Sequence, residues 1–156
     1  MQEALASCLE LQVACAHPTA RSLVIDLGAV PPLLRTIGSC NRSPPCLALL
    51  DAALRTLQHL VADAACRPRV TPCERFAATL LKVLISHWGH TAHFALAARC
   101  LLHSADDARL KTTLRADKEN NKALVIRLSK AAKEAKKKGG VDPGMLKKLA
   151  ALIDVA

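Results

Sequence analysis

The chain has 156 residues, 51% of them hydrophobic and only 2% aromatic, with a formal net charge of +9. That length suits one domain with its own core. The scarcity of aromatics, with Phe76, Trp88 and Phe94 as the whole set, argues against a β-sandwich, whose strands favour aromatic and β-branched side chains. Leu, Val, Ile and above all Ala must fill the interior, which suits helices in close approach.

Ala4, Leu5, Cys8, Leu11 and Cys15 recur at three- and four-residue steps and predict an amphipathic helix over 2–16. His17-Pro18 stops it, because proline cannot continue the backbone ladder. Thr19 is expected to cap a short helix to Leu27, with Gly28 supplying the left-handed residue that ends it. Val30-Pro31-Pro32 then opens a third helix, since proline is tolerated in a first helical turn, and Gly38 closes it. After a turn-rich break at 40–45, the strongest helix of the chain is predicted over 46–64, with Leu47, Leu50, Leu54, Leu57, Leu60 and Val61 at helical steps. A break over 67–72 precedes a helix from Cys73 to Ser86, and Gly89 separates that from a helix over 92–103. Residues 105–116 read as a short helix or turn. Asp117 is expected to cap a long basic helix to Lys138, ended by Gly139-Gly140, and a last short helix covers 145–153.

The long helices beginning near residues 2, 46 and 92 recur at the period of armadillo or HEAT repeats, units that bury their apolar faces only by stacking. Leu23 to Leu34, with Gly28 at the turn and Pro31-Pro32 opening the next helix, resembles the first-to-second-helix junction of an armadillo repeat. Ala52 to Leu60 resembles its third helix. The resemblance implies an all-α, armadillo/HEAT-like α-solenoid of two to three degenerate repeats over residues 1–116. A basic helix and a short terminal helix over 117–156 would pack on the last repeat. Residues 21–62, especially Val30 to Leu34 with Ile37 and the segment Cys40 to Pro45, are also similar to the C-terminal region of the abnormal spindle (microcephaly-associated) protein family, as is Leu110-Lys111-Thr112-Thr113 before a lysine-rich helix. That likeness implies a spindle-pole protein at microtubule minus ends. The calponin-homology domains and calmodulin-binding IQ motifs of that family have no counterpart here, so those attachments carry over to no residue.

Seven cysteines, an odd number with no CxxC, and the absence of a signal peptide read as reduced thiols of a soluble, intracellular protein. No apolar run approaches the roughly 18–20 residues of a membrane span. The expected location is the cytoplasm, at the cytoskeleton or spindle pole, with the nucleus open as well.

Charge is uneven: residues 1–104 carry nine basic and six acidic side chains, and residues 105–156 carry thirteen and seven. A basic C-terminal half attracts an acidic surface, whether nucleic acid, anionic lipid or an acidic protein such as the microtubule wall. Leu124, Leu128, Ala131 and Ala135 trace one face of the basic helix. Lys122, Arg127, Lys130, Lys133, Lys136, Lys137 and Lys138 lie outside it and form the candidate partner-binding set. The alternative is a solvated cap over the last repeat. Calmodulin accepts basic amphipathic helices, but this stripe lacks large aromatic anchors. Nucleic acid is the competing partner, weakened by the lack of aromatics for base stacking.

His59 stands where peptide-binding armadillo proteins carry a groove asparagine, with Arg55 beside it and Cys100 as the nearest counterpart in the next unit. His59 therefore reads either as a groove residue or as a hydrogen-bonded inter-helix histidine. His87, His90 and His93, with Cys100 and His103 beyond, form the densest ligand cluster. His93 and Cys100 share a helix face, but zinc-site spacing is missing, so no metal or cofactor is expected. Cysteine and histidine are scattered without an orienting carboxylate, and no Gly-rich phosphate loop occurs, so no enzyme is expected either.

Overall fold

The computed structural model describes residues 2–88, 90–116, 118–138 and 141–155, and within them all side chains but those of 115, 118–120, 134–138 and 155. Among the described residues the chain is all-helical. Its helices are α1 (Gln2–Ala16), α2 (Pro18–Asp26), α3 (Val30–Ser39), α4 (Pro44–Ala62), α5 (Arg67–Val70), α6 (Phe76–Ser86), α7 (Thr91–His103), α8 (Ala108–Ala116), α9 (Lys118–Lys138) and α10 (Pro143–Val155).

Proline and glycine set the boundaries much as their backbone chemistry requires. Pro18, Pro31, Pro44 and Pro143 stand in the first turns of α2, α3, α4 and α10, where an N–H has no intrahelical partner to lose. Gly28 takes φ +71, the left-handed conformation that turns the chain from α2 into α3. Three details differ from expectation. Thr19 does not cap α2: His17 occupies that place, without a side-chain hydrogen bond. The break at 67–72 contains the single turn α5. Cys73 lies outside α6, because Arg75 adopts φ 68 and the helix begins only after it. The expected cap at Asp117 and stop at Gly139-Gly140 fall outside the described residues.

Helix α4 packs on α1 along one side and on α7 along another; α7 in turn meets α10, and α3 meets α6. The core between them includes Leu50, Leu54, Leu57, Leu60, Leu80, Leu84 and Leu101, with Ala52, Ala53, Ala97 and Ala98 buried among them. Leu124, Leu128 and Ala132 bury the inner face of α9 against α10, so the buried alanine of that turn is Ala132 and the expected Ala131 is half-buried.

Polar links between successive helices recur at nearly constant separation. Arg21 pairs with Asp63 at 3.0 Å, 42 residues on. Arg69 pairs with Asp26, 43 residues back. Arg42 Nε donates to the Ser86 carbonyl and Lys82 Nζ to the Gly38 carbonyl, each across 44 residues. His93 donates to the Leu47 carbonyl across 46.

Helix ends are closed in a repeated way. Arg21 donates Nε to the Cys15 carbonyl and a second N–H to that of Ala16, closing α1. Arg67 does the same for Val61 and Ala62 at the end of α4. Both satisfy carbonyls that a helix C-terminus leaves without partners. Asp63, Asp107 and Asp142 each accept two backbone N–H groups of the turn that follows.

Leu57 is fully buried between these helices, whereas Leu9 on α1 is 47% exposed. Leu57→Ala is expected to cost about 2–5 kcal/mol in urea unfolding through the cavity it leaves. Leu9→Ala is expected to stay within about 0.5 kcal/mol of wild type.

Candidate functional site

Residues 50–60 of α4 and 94–104, across α7 and its C-cap, carry the same burial pattern with a shift of 44 residues, save that His59 is half-buried where His103 is exposed. Leu50, Ala52, Ala53, Leu54, Thr56, Leu57 and Leu60 are buried, as are Phe94, Leu96, Ala97, Ala98, Cys100, Leu101 and Ser104. In this alignment Arg55 falls on Arg99 and His59 on His103, and both arginines are exposed. The counterpart of His59 is therefore His103, not Cys100 as expected. Cys100 takes the place of Thr56: it is fully buried, its thiol approaches the Leu54 carbonyl at 4.0 Å, and burial pushes its pKa up to about 12. Such a thiol remains protonated and is neither nucleophile nor ready metal ligand.

Each histidine has the same electrostatic surroundings. Burial lowers the His59 pKa, and Arg21 and Arg55 push it the same way. Burial also lowers that of His103, with Arg67 and Arg99 in the corresponding places. Arg21 and Arg67 are the residues that close α1 and α4, so the same side chains finish one helix and charge the surface of the next. Arg55 is held by Asp51 at 2.7 Å within its own helix. The position equivalent to Asp51 is Ala95, and Arg99 has no ion-pair partner among the described residues. Lys148 on α10 is exposed and precedes the buried pair Leu149-Ala150, just as Arg99 precedes Cys100-Leu101 and Arg55 precedes Thr56-Leu57. His59 has no side-chain hydrogen bond among the described residues and is half-buried beside the two arginines.

The basic helix α9 presents Lys122, Arg127, Lys130 and Lys133 to solvent, with Ile126 69% exposed among them. The side chains of Lys136, Lys137 and Lys138 lie outside the described residues. Lys133 and Lys147 share a cavity of about 440 Å³ with Ser129, Ala132 and Ala150, between α9 and α10.

The three histidines at the α6–α7 corner do come together, with ring centroids 6.0–6.2 Å apart. His93 donates from Nε2 to the Leu47 carbonyl, and His87 Nδ1 meets the Ser86 hydroxyl at 2.8 Å. Their other ring nitrogens are buried without partners. Trp88 packs edge-on against Phe94 at 5.1 Å beside them. No group of three His, Cys, Asp or Glu able to hold a metal is present among the described residues, and Cys100 does not join His93. Burial lowers the His87 pKa, and His93, His90 and Arg42 push it the same way. The corner is thus a packed junction of three imidazole rings between α6 and α7.

No protein-family model matches the chain, and neither the curated proteins nor the solved structures give a match. No helix among the described residues is long and apolar enough to cross a membrane.

The Arg99–His103 pair escaped the sequence reading, although its signal was there. Ala53, Arg55, Leu57 and His59 recur at the same spacing as Ala97, Arg99, Leu101 and His103.

A depressed histidine pKa means that the unfolded chain takes up its proton first as pH falls. The contribution of His59, His87 and His103 is therefore complete above the ordinary value of 6.5 and declines as pH falls through the lower folded values. Asp63 and Asp107 are held below 3.8. Amide and Arg21 hydrogen bonds do this for Asp63. For Asp107 burial opposes the shift, and hydrogen bonds from Thr71 and the backbone outweigh it. Their contribution is complete above that pH and disappears below it. Thermal melts across pH should show two steps, the first beginning near 6.5, and His87→Leu should shrink the first step alone.

Proposed function

We propose that this chain is a non-catalytic interaction module, an armadillo-like stack of degenerate three-helix units that grips an acidic protein segment. The observation that carries the reading is the recurrence of Arg55 and His59 as Arg99 and His103, 44 residues apart on neighbouring helices, with both arginines exposed and the flanking residues buried in step. The stack itself is supported by the succession α1, α4, α7 and α10, and by polar links 42–46 residues apart.

The chemistry of such a surface is that of a cation row. Guanidinium groups pair with carboxylates in a bidentate fork. A histidine between arginines is neutral until a carboxylate arrives, and then gains a proton more readily. Binding is thus coupled to proton uptake and strengthens as pH falls. The lysine face of α9, with exposed Ile126, extends the same polarity. Neither surface carries Phe, Tyr or Trp for base stacking, which favours an acidic protein over single-stranded nucleic acid. The resemblance to the abnormal spindle family makes the acidic tails of microtubules the first natural partner to try, and a cytoskeletal or spindle-pole location follows from that proposal alone.

The test pairs fluorescence anisotropy on a glutamate-rich peptide with co-sedimentation on microtubules, each across a salt series and with duplex and single-stranded DNA as competitors. Arg55→Gln with Arg99→Gln is expected to weaken peptide binding at least ~10-fold through loss of two charge-assisted contacts. Lys130→Gln with Lys133→Gln should weaken it less. Wild-type affinity should rise between pH 7.5 and pH 6. Equal binding by the Arg55/Arg99 variant, or complete displacement by DNA, overturns the reading.

A further inference from the structure

Contacts between helices run in succession from α1 through α4, α7 and α10 to α9, so α1 and α9 stand at the two ends of the row. Opposite charge marks those ends. Residues 2–28 carry three acidic side chains, Glu3, Glu10 and Asp26, against one basic, Arg21. Arg21 is already paired with Asp63 and Asp26 with Arg69. Glu3 and Glu10 are exposed on α1, with no ion-pair partner among the described residues. Residues 118–138 carry eight basic side chains against two acidic.

The outer side of a terminal helix has to be polar to stay in water, and that of α1 is not. Cys8, Leu11 and Cys15 turn inward onto the core. Away from them Ala6, Leu9, Val13 and Ala16 are all exposed, at steps of three, four and three. At 3.6 residues per turn they form a single ridge about 15 Å long. Its two large side chains, Leu9 and Val13, are 47% and 65% exposed. The outward ridge of α9 runs Lys122, Ile126, Ser129 and Lys133, at steps of four, three and four. It is about 16 Å long, and its one large apolar side chain, Ile126, stands out into solvent.

We infer that the α1 ridge is a docking surface for a second copy of this chain, which presents its α9 ridge in an antiparallel, head-to-tail contact. Two α1 ridges would meet with like charge, and so would two α9 ridges; only the unlike pair is complementary. Ridges of matching length with three- and four-residue steps interdigitate at a small crossing angle. Antiparallel alignment sets Leu9 and Val13 around Ile126. It brings Glu3 and Glu10, in the first half of α1, toward Lys130 and Lys133, in the second half of α9. The lysine stems then cover the alanines of the α1 ridge while their charges stay at the rim. Each added copy still presents an unused ridge, so copies join in series rather than closing as a symmetric pair. The contact uses neither Arg55 nor Arg99 and stands or falls separately from that row.

Sedimentation velocity of the full chain over roughly 10–500 μM tests the contact, in the range suited to a small interface. At low salt the mean mass is expected to rise with concentration, and at ~0.5 M salt to fall back toward that of the monomer. Leu9→Lys with Val13→Lys should abolish the rise. So should Ile126→Gln with Lys130→Gln and Lys133→Gln. Glu3→Gln with Glu10→Gln, which leaves the apolar ridge intact, should weaken association by ~5-fold. Arg55→Gln with Arg99→Gln should associate like the wild type. Circular dichroism melts establish that each variant folds. The α1 and α9 variants each retain the ridge that the other has lost. Monomeric alone, they should form dimers and nothing larger when mixed. A wild type that stays monomeric throughout, a mixture that stays monomeric, or undiminished association of either variant overturns the proposal.

Discussion

With almost no aromatic bulk, the chain reaches native packing only by letting helices approach closely, and that approach is made by alanine. Ala52 and Ala53 of α4, and Ala97 and Ala98 of α7, are buried to within about 1% of full enclosure. Leu54, Leu57 and Leu101 fill the space around them. Close packing of this kind fixes the register of one helix on the next, because a shift of even a methylene is felt in a dense interior. The polar links then follow. Arg42 reaches Ser86, Lys82 reaches Gly38 and His93 reaches Leu47 because the helices that carry them are already in phase.

Much of this was legible in the residues. Prolines at 18, 31, 44 and 143 and the glycine at 28 mark backbone constraints that act within a few residues, so helix order and most boundaries could be read locally. The start of α6 could not. Arginine gives no sign of entering the left-handed region, and only the packed structure holds Arg75 there. The site was half legible. Arg55 and His59 stood out against an expected groove asparagine, but pairing His59 with Cys100 hid the repeat. Burial phase, which a sequence does not display, aligns His59 with His103. A cavity between α3 and α6 was not legible at all, because its two walls come from residues 31–39 and 74–82 and meet only through the fold.

Electrostatics divides the described surface into regions with different logic. On α4 and α7 the cations stand beside histidines whose pKa values burial and those cations both depress, so the charge of this surface depends on pH. On α9 the lysines face solvent around Ile126, a general attraction screened by salt. Between α3 and the start of α6, Arg35, Arg75 and Lys82 line the open cavity together with Glu74. A net charge of +9 is thus distributed over surfaces of different surroundings.

The arginines that close helix ends join a local closure to a distant contact. Arg21 completes α1 and Arg67 completes α4, each from six residues beyond the carbonyl that accepts its Nε. The same guanidiniums lie beside His59 and His103, far along the chain, so the group that finishes one helix also sets the charge felt on the next one in the stack. Loss of either arginine would therefore be felt at two places that the sequence keeps apart.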